Sequence, residues 1–491
     1  MKLSIPIYND VWMDNALENF YSLLNDYDLD NKLDINLRKD KLCINFENND
    51  FKEVLEKIIN NHKYYSCIKE QKENEIVEYK KDFIIIQHNR NGQHITLKPN
   101  LFKNTSKEIS KLVDSMSEGS KTCVLCGSLF DKKYSSLNQS AYPLATKIKS
   151  LSGVRTYKNG QYYSFKDYND SSCPICYLIG ILGWFTEKVI YRNVQNDNNF
   201  LLFLPKLNNL HDLHEFKMDY SVLLNNTRRW SNIRVSPTND LVENTFGKYS
   251  TLLCFYGKFL LVYGDIPDME WNIMTIPKGK VKNIKISNFT FNEKILKIIK
   301  VFINEYYEEI YSLFDSIYVI SDAKIDYELT HDLKENLANS FLKDNFRLFS
   351  KNFVIKKGKK FLFSKKKIDF FKYFNLFIEI WRIKPMGINE DDLKTIRSVA
   401  NIISKVSIKN LSLFYKLDKV KNIGEFWSCL REISKKLISL ELDKKLIKPS
   451  SLDDLIVLLK SNENNWKEIR DLLIIYSSMY YSINNGDYNE N

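Results

Sequence analysis

Two Cys-x-x-Cys pairs, Cys123-Val-Leu-Cys126 and Cys173-Pro-Ile-Cys176, take four of the eight cysteines. Two residues between thiols let both sulfurs of a pair face one ion from a tight turn. Two such pairs complete a tetrahedral set of four thiolates, a ligand set that suits structural zinc. Cysteines alone leave no open position for water, so the set speaks for scaffolding rather than hydrolysis. Cys173-Pro-Ile-Cys176 has a rival chemistry, a thiol–disulfide couple at a helix start where the dipole lowers a thiol pKa. That reading leaves Cys123 and Cys126 without a role. Cys43, Cys67, Cys254 and Cys429 stand alone in apolar settings and read as small core residues.

A second chemistry is charge. Between Lys351 and Lys372 there are nine lysines and one acid, Asp369. The cluster proper is Lys356, Lys357, Lys359, Lys360, Lys365, Lys366 and Lys367, with Phe353, Phe361, Phe363, Phe370 and Phe371 interleaved. Lysines neutralise phosphates and release counterions, and exposed aromatic faces stack unpaired bases. The plainer alternative makes the phenylalanines the buried sides of two short elements and the lysines their wet sides; both can hold together. Lys278, Lys280 and Lys282 form another basic stretch without acids. Two Asn-Gly reversals add groups suited to base edges: Arg90, Asn91 and Gln93 in one, Arg155, Lys158, Asn159 and Gln161 in the other. Ordinary solvated turns share this composition.

A catalytic set is hard to find. The two His-Asp dipeptides are His211-Asp212 and His331-Asp332, the kernel of metal phosphohydrolases, with His214 as a further ligand. A solvated helix start explains the first equally well. There is no Gly-x-x-x-x-Gly-Lys-Ser/Thr phosphate loop and no Gly-x-Ser-x-Gly elbow. The expectation is a protein without catalytic residues; a metal-dependent nuclease and a stand-alone zinc-ribbon DNA binder are the alternatives.

The elements that must position these groups follow from periodicity. Trp12, Ala16, Phe20, Leu23 and Leu24 form a helical stripe, and Phe51 to Ile59 reads as helix. Leu33 to Leu37 and Leu42 to Phe46 alternate around Arg38–Lys41 as a hairpin. The Asn91-Gly92 and Asn159-Gly160 turns predict two more hairpins. Pro174 suits the first turn of a helix running to about Tyr191. Further strands are expected over Phe200–Leu204, Trp271–Ile276 and Val281–Ile286. From Phe291 the pattern is helical: Ile295 to Phe314, Leu333–Phe349, Ile368–Trp381, Leu393–Ser404, Phe426–Leu440, Leu452–Leu459 and Trp466–Ile483. The fold class is α+β, a mixed N-terminal region with an embedded four-cysteine zinc module, followed by an all-helical C-terminal bundle. The expected domains are an α+β region over 1–122, the zinc module with its inserted hairpin over 123–192, the remaining α+β region over 193–290, and the bundle over 291–491.

Composition bounds the rest. At 491 residues and 44% hydrophobic, the chain can bury more than one core. A net charge of +11 favours a polyanionic partner. The opening Met1-Lys-Leu-Ser-Ile-Pro-Ile-Tyr8 lacks the apolar run of a secretory signal, and the run Tyr177 to Phe185 is too short to span a bilayer. A cytoplasmic protein without membrane contact is expected, where reduced thiolates persist.

The cysteine block resembles a known family. Cys123-Val-Leu-Cys126-Gly127, Asn138-Gln-Ser-Ala-Tyr-Pro-Leu144 and Cys173-Pro-Ile-Cys176, with the N-terminal Trp12-Met-Asp-Asn-Ala16 helix, look like the large subunit of type I CRISPR effector (Cascade) complexes, in the I-B-like branch marked by its paired Cys-x-x-Cys motif. The resemblance implies a non-catalytic, prokaryotic antiviral-defence subunit. Such a subunit sits near the 5′ end of the guide RNA, reads the short duplex motif beside the target DNA, helps open the duplex and holds the displaced strand. It implies backbone and small subunits as partners and a helicase–nuclease recruited in trans. Guide pairing would then read sequence while protein reads a short motif and shape, a division of labour known from another effector class.

Overall fold

The computed structural model describes residues 1–61, 87–90, 93–96, 101, 104–138, 141–143, 156–158, 161–163, 170–183, 190–194, 199–226, 247–264, 269–277, 285–364, 369–408, 411–439 and 450–484. Two compact units are present: Met1–Arg234 with Asp268–Thr290, and Val235–Pro267 with Phe291–Asn491.

The first unit begins with strand β1 (Lys2–Pro6), helix α1 (Val11–Tyr27), β2 (Asp34–Leu37), β3 (Lys41–Asn45) and helix α2 (Asn48–Asn61). β3 lies between β1 and β2, antiparallel to both. The hairpin β4 (Gln87–Arg90) and β5 (Gln93–Thr96) precedes α3 (Thr105–Asp114). Two small hairpins follow: β6 (Lys121–Thr122) with β7 (Leu129–Phe130), and β8 (Thr156–Lys158) with β9 (Gln161–Tyr163). Helix α4 (Pro174–Leu182) carries Pro174 in its first turn, as Pro requires. It ends at Gly183, well short of Tyr191, which belongs to a strand. An antiparallel four-stranded sheet runs in the order β10 (Ile190–Val194), β11 (Asn199–Lys206), β12 (Glu270–Pro277), β13 (Lys285–Thr290). Helix α5 (Leu210–Asn226) follows β11.

Helix α1 organises this unit. Asp10 caps it, with Oδ1 accepting the N–H groups of Trp12 and Met13. Its apolar stripe enters a core shared with α2, α3, α4 and the cysteine turns. Its other side is buried as well, and the polar residues there are partnered. Asn15 Nδ2 donates to the Pro205 carbonyl at 2.9 Å, and Asn19 Nδ2 to the Leu182 carbonyl at 2.7 Å. Glu18, fully buried, meets Lys217 Nζ at 2.8 Å, His214 Nδ1 at 2.9 Å and the Ser22 hydroxyl at 2.9 Å. Helices α1 and α4 approach closely: a Cβ at Gly183, the C-cap of α4, would sit 2.7 Å from Ala16 Cβ. A Cβ at Gly180 would sit 2.1 Å from the Ala141 carbonyl oxygen, so only glycine fits. The cysteine segment therefore shares one core with residues 1–61.

The second unit holds α6 (Lys248–Tyr263), α7 (Glu293–Tyr306), α8 (Ile310–Asp315), β14 (Ile317–Ser321), β15 (Lys324–Ile325), α9 (Tyr327–Leu342), α10 (Phe346–Lys351), β16 (Lys359–Phe363) and α11 (Phe370–Ile378). Then come a π turn over Glu379–Ile383, α12 (Glu390–Val406), α13 (Ser412–Lys419), α14 (Ile423–Ser439), α15 (Ser450–Ser461) and α16 (Trp466–Asn484). This C-terminal region is helical, with one addition that helical periodicity did not announce: an antiparallel sheet ordered β15-β14-β16. Its core is aromatic. Phe314, Phe341, Phe349, Phe377 and Trp381 meet edge-on or tilted, and Phe374 is tilted against Phe377 and stacked on Phe349, all within 6.5 Å.

Residues 247–264 belong to this unit rather than to the 193–290 region. The Glu335 carboxylate on α9 accepts the N–H groups of Tyr249 and Ser250 at 2.7 and 3.0 Å, capping α6 from a distant part of the chain. The helix expected from Ile295 to Phe314 breaks at Tyr307, in the left-handed region (φ 55°). The helix expected over Leu333–Phe349 begins earlier, at Tyr327, and breaks near Asp344 (φ 50°). The Asp344 carboxylate accepts from Trp381 Nε1 at 2.8 Å and from Arg382 at 2.7 Å, contacts that offset the strain of that backbone.

Candidate metal centre

The cysteine cluster is built from backbone turns. Hairpin β6–β7 brackets the first pair: the Cys123 N–H donates to the Ser128 carbonyl at 2.9 Å, and the Gly127 N–H returns to the Cys123 carbonyl at 2.9 Å. Gly127 adopts φ +75°, a conformation glycine takes without strain and one that closes the turn around the sulfurs. The second pair opens α4, with Cys173 at the N-cap and Cys176 in the first turn. Two bonds join the halves. The Val124 N–H donates to the Ser171 carbonyl at 3.0 Å, and the Cys173 N–H points at Cys123 Sγ at 3.3 Å.

All four sulfurs lie within 4.8 Å of one another. Cys123 faces Cys176, and Cys126 faces Cys173, each at 3.7 Å. These separations are far beyond a disulfide bond of about 2.05 Å. A tetrahedron with metal–sulfur bonds of about 2.3 Å has edges of about 3.8 Å, so the four thiols are spaced to hold one metal ion. Cys123, Cys173 and Cys176 are buried and Cys126 is half-buried, and four thiolates on one metal leave no position for a substrate water. Hydrogen bonds from Cys126, Cys173 and Cys176 hold the Cys123 thiol well below its ordinary pKa, while burial pushes Cys176 up. Binding a dication must therefore release protons from the cluster.

Sequence reasoning missed the groups around the sulfurs. The Tyr8 hydroxyl is hydrogen-bonded to Cys176 Sγ at 3.2 Å. Burial, and then the charge of the neighbouring sulfur, raises the Tyr8 phenol well above its usual range, so it keeps its proton and donates. Trp12 Nε1 donates to the Ala141 carbonyl at 3.0 Å, and the Tyr142 hydroxyl to Asp10 Oδ2 at 2.7 Å. These bonds join the Trp12–Ala16 helix to the Asn138–Leu144 segment. Asp14 accepts the Tyr8 N–H at 2.7 Å, and burial pushes its carboxyl up to about 7. No local signal identifies Tyr8, because its partner Cys176 is distant in sequence.

The remaining sequence candidates fall as follows. Lys356 and Lys357 are exposed, and Lys359 and Lys360 half-buried, at the turn into β16. Phe353, Phe361, Phe363 and Phe370 are buried in the aromatic core, so they are not open stacking platforms. Arg90 and Gln93 end β4 and β5 as register partners, as do Lys158 and Gln161 in β8 and β9. Asn91, Arg155, Asn159, Lys278, Lys280, Lys282, Lys365, Lys366 and Lys367 lie outside the described residues, as does Cys67. Cys254 and Cys429 are buried and Cys43 is half-buried.

His211 and His331 belong to different units. His211, Asp212 and Glu215 cluster on one exposed face of α5 with ligand atoms within 4.8 Å. His214 instead turns to Glu18. His331 is buried, 3.7 Å from Asp332. Among the described residues, no helix is long and apolar enough to cross a membrane. No protein-family model and no curated protein matches the chain, so its own residues carry the functional reading.

Proposed function

We propose that this chain is a non-catalytic, nucleic-acid-binding large subunit of a type I, I-B-like CRISPR effector complex, with structural zinc at Cys123, Cys126, Cys173 and Cys176. The observation that carries the reading is the convergence of the segments on which the resemblance rests. The four sulfurs form one closed cluster, and the Trp12 and Asn138–Leu144 segments are joined beside it. Such a centre supplies rigidity and no open coordination position. The exposed lysines at the turn into β16 suit phosphate contact without sequence preference. In this role the subunit reads the adjacent duplex motif, aids strand opening and retains the displaced strand, beside guide RNA, backbone and small subunits, in a prokaryotic cytoplasm. Cleavage falls to a helicase–nuclease recruited in trans.

Two measurements test this. Metal analysis of the purified chain should return one zinc and no iron; iron would replace zinc, because four thiolates serve both metals. Binding of target duplex should require guide RNA and the companion subunits encoded beside this chain, and should weaken steeply with salt. Tight duplex binding by the chain alone would favour the stand-alone zinc-ribbon reading. Divalent-metal-dependent cleavage abolished by His211→Ala would make it an enzyme.

A further inference from the structure

A cavity of about 220 Å³ opens in the second unit beside the lysine turn. One face of α9 forms one wall, with Leu329, Asp332, Leu333 and Asn336 at helical spacing. The sheet forms the other wall through Val319 of β14 and Phe361 of β16, which are register partners. The walls are pinned together: the Val319 N–H donates to Thr330 Oγ1 at 2.9 Å, and the Asp326 N–H to the Val319 carbonyl at 2.8 Å. Val319, Leu333, Ile355 and Phe361 make the floor apolar.

The rim is cationic. Lys351, Lys356, Lys359 and Lys360 all line the cavity. The turn Lys356-Lys357-Gly358-Lys359 brings two of them to one edge. The Lys359 N–H closes on the Lys356 carbonyl at 3.0 Å, and Gly358 takes φ +76°. Asp332 is the one carboxylate on the lining, and its side chain faces solvent next to His331. Lysines gathered on one mouth favour an arriving anion. The Asn336 amide on the same lining provides a donor and an acceptor, while the Asn352 amide nitrogen donates to the Leu348 carbonyl at 2.9 Å.

We propose that this cavity binds one unpaired nucleotide, its base on the apolar floor and its phosphate against the lysine rim. The inference deepens the nucleic-acid reading above by naming the unit bound. Size decides the unit: pockets for drug-sized ligands run to about 300–1,000 Å³, so this one takes a single base rather than a stacked pair. A paired base cannot enter, because its faces are covered by neighbours in the duplex. The cavity thus selects single strand over duplex, while the lysines supply affinity regardless of sequence. Of the buried phenylalanines only Phe361 is on the cavity lining, as part of its floor and not as a surface platform.

The test uses the full chain with three probes: adenosine 5′-monophosphate, adenosine, and inorganic phosphate. Each competes against a fluorescent oligothymidylate. The monophosphate should bind at least about tenfold more tightly than adenosine or phosphate alone, since only it engages both floor and rim. Photolabelling with 8-azido-adenosine 5′-monophosphate should mark peptides carrying Leu333 or Phe361, a readout that needs no variant. Asn336→Trp, which reaches over the cavity from an exposed position of α9, should abolish labelling. The double change Lys356→Glu with Lys359→Glu should weaken the monophosphate at least about tenfold. Equal competition by phosphate and monophosphate would overturn the proposal, as would labelling elsewhere on the chain. If the oligonucleotide binds in a salt-dependent way but the monophosphate does not bind, the cavity proposal falls and the nucleic-acid reading stands. If the monophosphate labels the cavity but no strand binds, the cavity proposal stands and the nucleic-acid reading falls.

Discussion

The cysteine centre and the lysine-rimmed cavity hold their functional groups in opposite ways. In the first unit the sulfurs are placed by backbone turns, enclosed by the main core and hydrogen-bonded by Tyr8 and the Cys173 N–H. Their geometry and the stability of the unit are one property. In the second unit the lysines sit at the end of α10, on the turn into β16 and at its start, beside walls that Thr330 and Val319 join. Their charge can be changed with little effect on the core. A buried polar cluster must be complete to be tolerated, whereas an exposed one is free to serve a partner. The contrast orders the expected effects of substitution.

The largest concerns the metal. Replacing Cys123 and Cys173 by Ser should abolish metal binding and unfold much of the first unit, since structural zinc contributes about 10–16 kcal/mol of binding free energy to folded peptides. Hydrogen exchange should show that loss in the first unit only. Equal loss of protection in both units would erase the contrast.

Next come the buried ion pairs. Glu18→Ala takes from Lys217 its buried carboxylate, and Asp315→Ala does the same to Lys334, whose Nζ lies 2.8 Å from Asp315 and over the Tyr318 ring. Each should cost about 3–5 kcal/mol by denaturant titration. Substituting both partners of a pair by apolar residues of similar size should recover most of it.

Asp14 sets a pH dependence. Its carboxyl is pushed from an ordinary 3.8 up to about 7, so between these values the folded chain holds a proton that the unfolded chain has released. Its contribution therefore lowers stability as pH rises from about 4 to about 7 and is constant above that. Asp14→Asn should flatten this slope, a change on the order of 2–4 kcal/mol across the window. An unchanged slope would show that Asp14 ionises normally.

Tyr8→Phe should leave the fold intact and weaken metal retention about tenfold in chelator competition, the scale seen for groups that bond to metal ligands. The smallest stability effect belongs to the rim. Lys356→Ala, at an exposed position, should shift stability by no more than about 0.5 kcal/mol. It should also lower the salt dependence of strand binding by about one ion. A rim substitution that melts the protein would make the lysines structural and remove the comparison.

Much of this arrangement is local, and local order is legible in residues near one another. The Cys-x-x-Cys spacings, the reversals between Arg90 and Gln93 and between Lys158 and Gln161, and the Asn389 cap with its reciprocal Asp392 each involve contacts within a few residues. Helical spacing found most helices of the second unit. It passed over the breaks at Tyr307 and Asp344 because helices on both sides bury their apolar faces in the same core, so the stripe continues through the bend. It also passed over β14, whose buried Ile317-Tyr-Val-Ile320 run has no alternation to separate strand from helix.

The amino-acid sequence by itself determined the four-thiolate set, the α+β class and the basic turn, since each depends on side-chain type and short-range spacing. Only the tertiary structure decided that Tyr8 reaches Cys176, that Glu335 caps α6 and that Glu18 meets Lys217 inside a core. It alone also set a cavity beneath the lysines. Those contacts join residues tens to hundreds of positions apart, and chain closure, not local preference, sets which of them form.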